Sequence, residues 1–154
     1  MDVINTIGRR KTAVARICAA IERIIRIYDA GNYFLALGEY EVALTTYEEL
    51  LEQFETKELL NNAAIAALSA VTASDLDKFT LRYPVAIDLS FSLKNRGTTN
   101  TIAVLIKKAE NYLIRATHLS PDYLNAFLNL ISVYDVKGDK VAAKKLLIAI
   151  SGGL

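Results

Sequence analysis

The stretch that decides the fold is IYDAGNYFLALGEYEVALTTYEELL, residues 27–51. Its apolar residues recur at steps of three and four, which is the period of an amphipathic helix rather than of a strand. Gly38 interrupts the pattern and is suited to end a helix, because glycine readily adopts the left-handed conformation found there. Acidic residues after Gly38 favour the positive end of a helix dipole. The stretch therefore predicts an antiparallel helical hairpin.

The helical period also extends upstream of this stretch. One apolar stripe contains Val14, Ile17, Ile21, Ile24 and Tyr28. We predict a first helix over about 13–30, ended or bent by Gly31 or Asn32. The alternative is a helix that continues to Gly38, which is the better stop.

A second hairpin is predicted near the C-terminus. Pro121 precedes an apolar helical pattern, Gly138 breaks it, and a closing helix follows to Ile150. Two further helices are predicted over about 59–73 and 101–118. Because helix-type periods dominate, the predicted fold class is all-α, built from stacked antiparallel hairpins.

Small and aromatic residues recur in these hairpins at matching positions, and Ala109 and Ala143 lie 34 residues apart. The first hairpin has Ile27, Ala30, Gly31, Phe34, Gly38, Tyr40, Ala43 and Tyr47; the last has Phe127, Leu130, Ile131, Tyr134, Gly138, Ala143 and Leu147. From about residue 24 to the end, the chain resembles a tetratricopeptide-repeat (TPR) protein with three degenerate repeats. The resemblance implies a short superhelix with a concave binding surface.

The middle repeat departs from the 34-residue period. We align its first helix on Leu60–Ala67 and its second on Ala109 and Leu113, which leaves an excess over about 73–100. This stretch contains Pro84 and the β-prone run Phe79–Tyr83, so we predict an irregular insertion, with a β-hairpin as one possible form.

The first residues have a different character. Gly-Arg-Arg-Lys-Thr-Ala-Val-Ala-Arg, residues 8–16, is similar to the start of bacterial small-subunit ribosomal protein number nine. That resemblance covers only residues 1–17, and the chain lacks the basic tail by which that family reaches RNA. We therefore predict two parts: a basic leader at 1–16, extended or disordered, and a helical domain at 17–154.

Composition excludes several classes of protein. The chain has 154 residues, 53% of them hydrophobic, and a formal net charge of +1, which argues against disorder. Cys18, predicted to be buried, and His118 are the only cysteine and histidine, so neither a disulfide nor a cysteine- or histidine-based metal site is expected. No phosphate-binding loop or dinucleotide fingerprint is present. We predict no enzyme activity, no cofactor and no metal.

Charge is distributed unevenly along the chain. Residues 1–26 carry a net charge of +4, and residues 27–57 a net charge of −6. Solvated helix faces of opposite sign explain this most simply. The alternative is an RNA- or ribosome-associated protein that contacts phosphates through Arg9, Arg10, Lys11 and Arg16. The acidic block and the lack of interleaved aromatic residues argue against nucleic acid.

The leading functional hypothesis is a non-catalytic interaction module or scaffold that binds a peptide or a partner helix on its concave face. The candidate lining residues are Tyr28, Asn32, Leu35, Asn61, Asn62, Ile65, Asn125, Asn129 and Ser132. Their amide groups can bond a peptide backbone, or Asn62 and Asn129 can merely bridge neighbouring helices.

Another hypothesis is a structural subunit or homo-oligomer that associates through apolar terminal helices. No signal peptide is evident at the start, and no apolar run is long enough to span a membrane, so a cytoplasmic location is predicted. The basic amphipathic run over 17–28 leaves a membrane-surface role open.

Overall fold

The computed structural model describes residues 2–74 and 99–152, and in these segments it contains helices and no strands. The helices are α1 (Asp2–Leu37), α2 (Tyr40–Leu51), α3 (Lys57–Ser74), α4 (Thr99–Leu119), α5 (Leu124–Val136) and α6 (Lys140–Gly152). The predicted all-α class is confirmed. Of the predicted insertion at 73–100, residues 75–98 lie outside the described residues.

Both predicted hairpin turns depend on a glycine in the left-handed conformation. Gly38 has φ of 81° and Gly138 has φ of 75°. In the first turn, the Glu39 amide donates to the Phe34 carbonyl at 3.0 Å, and the Gly38 amide donates to the Leu35 carbonyl at 3.2 Å. The turn at Gly138 repeats both bonds. This is the Schellman arrangement, which satisfies the last carbonyls of a helix and reverses the chain.

Each helix packs on the next one along the chain, and α3 also contacts α1 and α5. The sequence of α3 explains its central position. Ala63, Ala64, Ala66 and Ala67 are fully buried and point to several sides of the helix. A helix that is apolar nearly all round is stable only when other helices surround it. The small side chains allow those neighbours to approach closely.

Gly31 sets the distance between α1 and α2. A Cβ atom at this position would lie 2.5 Å from Tyr47 Cε1, and the Tyr47 side chain is fully buried. The aromatic ring therefore occupies the space that any larger residue would need. At this contact a small residue lets the two helices approach, and an aromatic ring fills the gap between them.

The acidic α2 region is neutralised mainly by α4. Glu48 accepts hydrogen bonds from Lys108 Nζ at 2.7 Å and from Tyr112 Oη at 2.6 Å. Glu55 pairs with Arg115 at the end of the same helix. Glu49 of the same region pairs with the basic segment 1–26, through Arg23 at 3.5 Å. Most of the basic side chains near the N-terminus therefore form no ion pair with this acidic region.

The structure differs from our prediction at the N-terminus. Residues 2–16 are helical and continuous with the rest of α1, not an extended leader, and the predicted boundary at 16/17 falls inside the helix. Of the two predicted ends of the first helix, the one at Gly38 is observed. The spacing of Val3, Ile7 and Val14 by four and seven residues is typical of a helix and indicates that the helix begins before residue 13.

Candidate partner-binding face

A cluster of polar side chains lies where α1, α2 and α3 meet. Tyr47 Oη donates to Asn32 Oδ1 at 2.7 Å. Asn62 Nδ2 donates to the same oxygen at 3.0 Å and to Tyr28 Oη at 2.9 Å. The rings of Tyr28 and Tyr47 lie 6.1 Å apart. The structure thus brings together three predicted site residues, on α1 and α3, and adds Tyr47 from α2.

Burial disfavours the ionised form of these phenols. It is the main cause that raises the pKa of Tyr47 and of Tyr28 above the ordinary value near 10. The pKa of Tyr112 is raised in the same direction by burial and by its hydrogen bond to the Glu48 carboxylate. Phenol and amide side chains are uncharged around neutral pH, so the cluster is a set of neutral donors and acceptors, suited to an amide backbone rather than to an ionic ligand.

These pKa shifts predict a loss of stability at alkaline pH. Above pH 10 the unfolded chain loses tyrosine protons that the folded chain retains. The contribution to the free energy of unfolding is therefore complete below pH 10 and falls as the pH rises through the raised values. Urea unfolding at several pH values, together with tyrosinate absorbance, measures both effects. A single titration step near pH 10 for all eight tyrosines of the folded chain would contradict this.

Asn61 and Asn129, which we predicted to line the concave face, do not lie on an accessible surface. Both are buried, and Asn129 Nδ2 donates to Asn61 Oδ1 at 2.8 Å, which links α5 to α3. Asn129 Oδ1 is buried without a hydrogen-bond partner. A partner molecule cannot reach this pair in the observed structure. The alternative role that we considered, a bridge between neighbouring helices, describes Asn129, and Asn62 bridges α3 to α1 in the same way.

The other predicted lining residues differ in exposure. Ser132 is buried, and its hydroxyl donates to the Leu128 carbonyl at 3.2 Å within α5, so it too is removed from a contact surface. Leu35 and Ile65 are half-buried, and Asn125 is exposed at the start of α5. We call the accessible set the α1/α3/α5 face; it consists of Tyr28, Asn32, Leu35, Asn62, Ile65 and Asn125.

The hydrogen bonds of Tyr47 and Tyr112 were not predicted from the sequence. Each of them donates its hydroxyl to a polar side chain, Tyr47 to Asn32 and Tyr112 to Glu48. The general rule that a buried tyrosine hydroxyl finds a partner indicates that a polar residue lies nearby. It does not identify that residue, because Glu48 and Tyr112 are 64 positions apart.

The residues considered for nucleic-acid contact lie together near the start of α1. Arg9, Arg10, Lys11 and Arg16 are all exposed. The prediction that Cys18 is buried is wrong, because it lies in the same exposed half of α1. His118 is exposed in the last turn of α4, where a cationic form would complement the helix dipole.

Within residues 2–74 and 99–152, no group of three or more His, Cys, Asp or Glu side chains could hold a metal ion. No helix in the described segments has the length and apolar character needed to cross a bilayer. Comparisons of the chain with protein-family models, curated proteins and solved structures find no match. The fold defines the class of an all-helical protein. Its function must therefore be inferred from the residues on its surface.

Proposed function

We propose that this protein is a non-catalytic interaction module of the TPR type, which binds a peptide or partner helix on the α1/α3/α5 face. The observation that supports the proposal is the contact of α3 with α1 on one side and α5 on the other. Stacked hairpins in which alternate helices are neighbours present one continuous surface formed by those helices. The accessible residues of that surface combine amides, a phenol and aliphatic groups.

The chemistry of this face favours an extended, uncharged backbone. Asn62 uses its Nδ2 group for Tyr28 and Asn32, which leaves its carbonyl oxygen to accept from a partner amide. Asn125, exposed one turn before Asn129, provides a second donor and acceptor on α5. Leu35 and Ile65 supply aliphatic contact between these polar points. The predicted specificity is therefore for backbone amides with aliphatic side chains, not for a carboxylate held by cations.

Binding is tested with peptides selected from a random library on the intact chain. We expect selected peptides to lose about tenfold in affinity, or about 1.4 kcal/mol, for the variants Asn125→Ala and Ile65→Ala. Both side chains are accessible at least in part, so the variants should stay folded. The matched controls are Thr45→Ala and Val42→Ala, which change exposed residues on α2. Equal affinities for site variants and controls would contradict the proposed face.

A second candidate function, association of copies through the terminal helix, has its own support. No residue of α6 is buried, and Val141, Leu147 and Ile148 are more than half exposed. Such apolar surface is often covered by another subunit. Sedimentation at several concentrations should then show a dimer that dissociates in Ile148→Asn; a monomer at every concentration would exclude this candidate.

A further inference from the structure

The first half of α1 projects from the rest of the fold. Every side chain from Val3 to Arg23 is exposed, whereas Ile24 packs against the hydrophobic core. The reason lies in the lengths of the two helices: α2 has 12 residues and α1 has 36, so α2 can cover only a part of α1. We call residues 3–22 the α1 extension. At 1.5 Å per residue it is about 30 Å long.

One side of the α1 extension is apolar. Val3, Ile7, Val14 and Ile21 follow one another at steps of four and seven, which places them on a single stripe. Ile4 and Ile17 flank this stripe, and all six side chains are between 48% and 81% exposed. An aliphatic stripe of this length, left in water, indicates a surface that a partner covers.

The α1 extension is also strongly basic. It carries Arg9, Arg10, Lys11 and Arg16, and its only acidic residue, Glu22, is its last. At 100° per residue, Lys11 lies beside the apolar stripe and Arg10 falls on it. Arg9 and Arg16 lie on the opposite side. Glu22 bonds to Arg26 at 3.3 Å, so it does not neutralise these four cations. The partner that complements this surface is anionic and accepts aliphatic side chains.

We propose that the α1 extension docks on an anionic lipid surface and lies in the plane of the interface. A lipid surface satisfies both properties, since acyl chains cover the apolar stripe and acidic headgroups attract the cations. The long Arg10 side chain can extend from the stripe to the headgroups. Nucleic acid would complement the positive charge, but it would leave the isoleucine side chains exposed to water. A second α1 extension would cover the stripe but place four cations against four. The inference depends on this segment alone and not on the function of the α1/α3/α5 face.

Docking should also order the helix. An isolated helix of about 20 residues is marginally stable in water, and β-branched valine and isoleucine lower its intrinsic stability further. The α1 extension has this composition, and none of the helices within residues 40–74 and 99–152 covers it. Acidic vesicles should therefore increase the helical circular dichroism signal of the intact chain, whereas neutral vesicles should leave it unchanged.

Co-flotation of the intact chain with vesicles tests the proposal. We compare phosphatidylcholine vesicles with vesicles that contain about 30% phosphatidylserine, at low and high salt. The expected result is binding to the acidic vesicles that weakens with salt. Two variant chains separate the contributions: Val14→Asn with Ile21→Asn removes part of the stripe, and Arg10→Gln with Lys11→Gln removes one charge on the stripe and one beside it. Each should weaken binding about tenfold or more.

The matched control is Val42→Asn with Val104→Asn, which removes exposed β-branched residues from α2 and α4. It should bind within about twofold of the wild type, because both residues lie outside the α1 extension. Equal binding to neutral and acidic vesicles would overturn the proposal. Binding to RNA but not to vesicles, unchanged by the asparagine substitutions, would also overturn it. A dimer that depends on Val14 and Ile21, in a chain with no affinity for vesicles, would overturn it as well.

Discussion

Replacing Gly31 with alanine should lower the free energy of unfolding by about 1–3 kcal/mol. The added Cβ would lie 2.5 Å from Tyr47 Cε1 and 2.9 Å from Tyr47 Cζ. The ring cannot easily withdraw, because it is fully buried and its hydroxyl bonds to Asn32 at 2.7 Å. Alanine is the better helix former by about 1 kcal/mol, so the expected loss is what remains of the overpacking cost after this gain.

Gly8→Ala is the matched control for this experiment. Gly8 lies in the same helix, and a Cβ there would meet nothing within 4 Å. We expect global stability to stay the same or to rise by less than about 1 kcal/mol, with a gain in helicity of the α1 extension. Urea unfolding followed by circular dichroism measures both variants. If the two substitutions changed stability by the same amount and in the same direction, the close packing of α1 on Tyr47 would be wrong.

The second large effect is expected at the buried amide pair. Asn129→Ala should cost about 1–3 kcal/mol, because it leaves Asn61 Oδ1 buried without the donor that now lies at 2.8 Å. Replacing both residues together, as Asn61→Leu with Asn129→Leu, should cost much less. The double change removes the buried polar groups, including the unpartnered Asn129 Oδ1.

A double-mutant cycle on Asn61 and Asn129 tests whether Asn129 is a structural bridge or a residue that binds the partner. The control is Asn125→Ala, one turn away and exposed, which should change stability by less than about 0.5 kcal/mol. Thermal unfolding of the wild type, Asn61→Leu, Asn129→Leu and the double variant gives the coupling energy. A stable Asn129→Ala chain with impaired peptide binding would show that Asn129 contacts the partner, in conflict with its burial.

Much of the fold could be predicted from the sequence, because helix ends carry local signals. Gly38 and Gly138 mark both hairpin turns, and both adopt the left-handed conformation that makes glycine necessary. The periods of α3 and α4 predicted helices over 59–73 and 101–118, and the structure has Lys57–Ser74 and Thr99–Leu119. The TPR-type superhelix and the form of the insertion stay predictions.

The N-terminal prediction was wrong for an identifiable reason. The similarity of residues 8–16 to a ribosomal protein suggested an extended leader, whereas the spacing of Val3, Ile7 and Val14 indicated a helix. The structure has the helix. A period of four and seven residues reflects the conformation of this chain directly, whereas a nine-residue similarity transfers conformation only if the surrounding fold is also shared.

The candidate face was harder to predict than the helices. An asparagine on an otherwise apolar helix is compatible with a surface contact or with a buried bridge, and only a partner from another helix decides between them. For Asn129 that partner is Asn61, 68 positions away, and the resulting pair is buried. For Asn62 the partners are Tyr28 and Asn32, 34 and 30 positions away, and the cluster stays accessible in part.

Backbone amide chemical shifts of the intact chain, recorded with and without a selected peptide, test the proposed function most directly. At 17.0 kDa the protein is well suited to this measurement. We predict that the shifts change along the second half of α1, along α3 and at the start of α5, around Asn32, Asn62 and Asn125. Changes confined to α2, α4 and α6, or to residues 3–22, would contradict an interaction module that works through the α1/α3/α5 face.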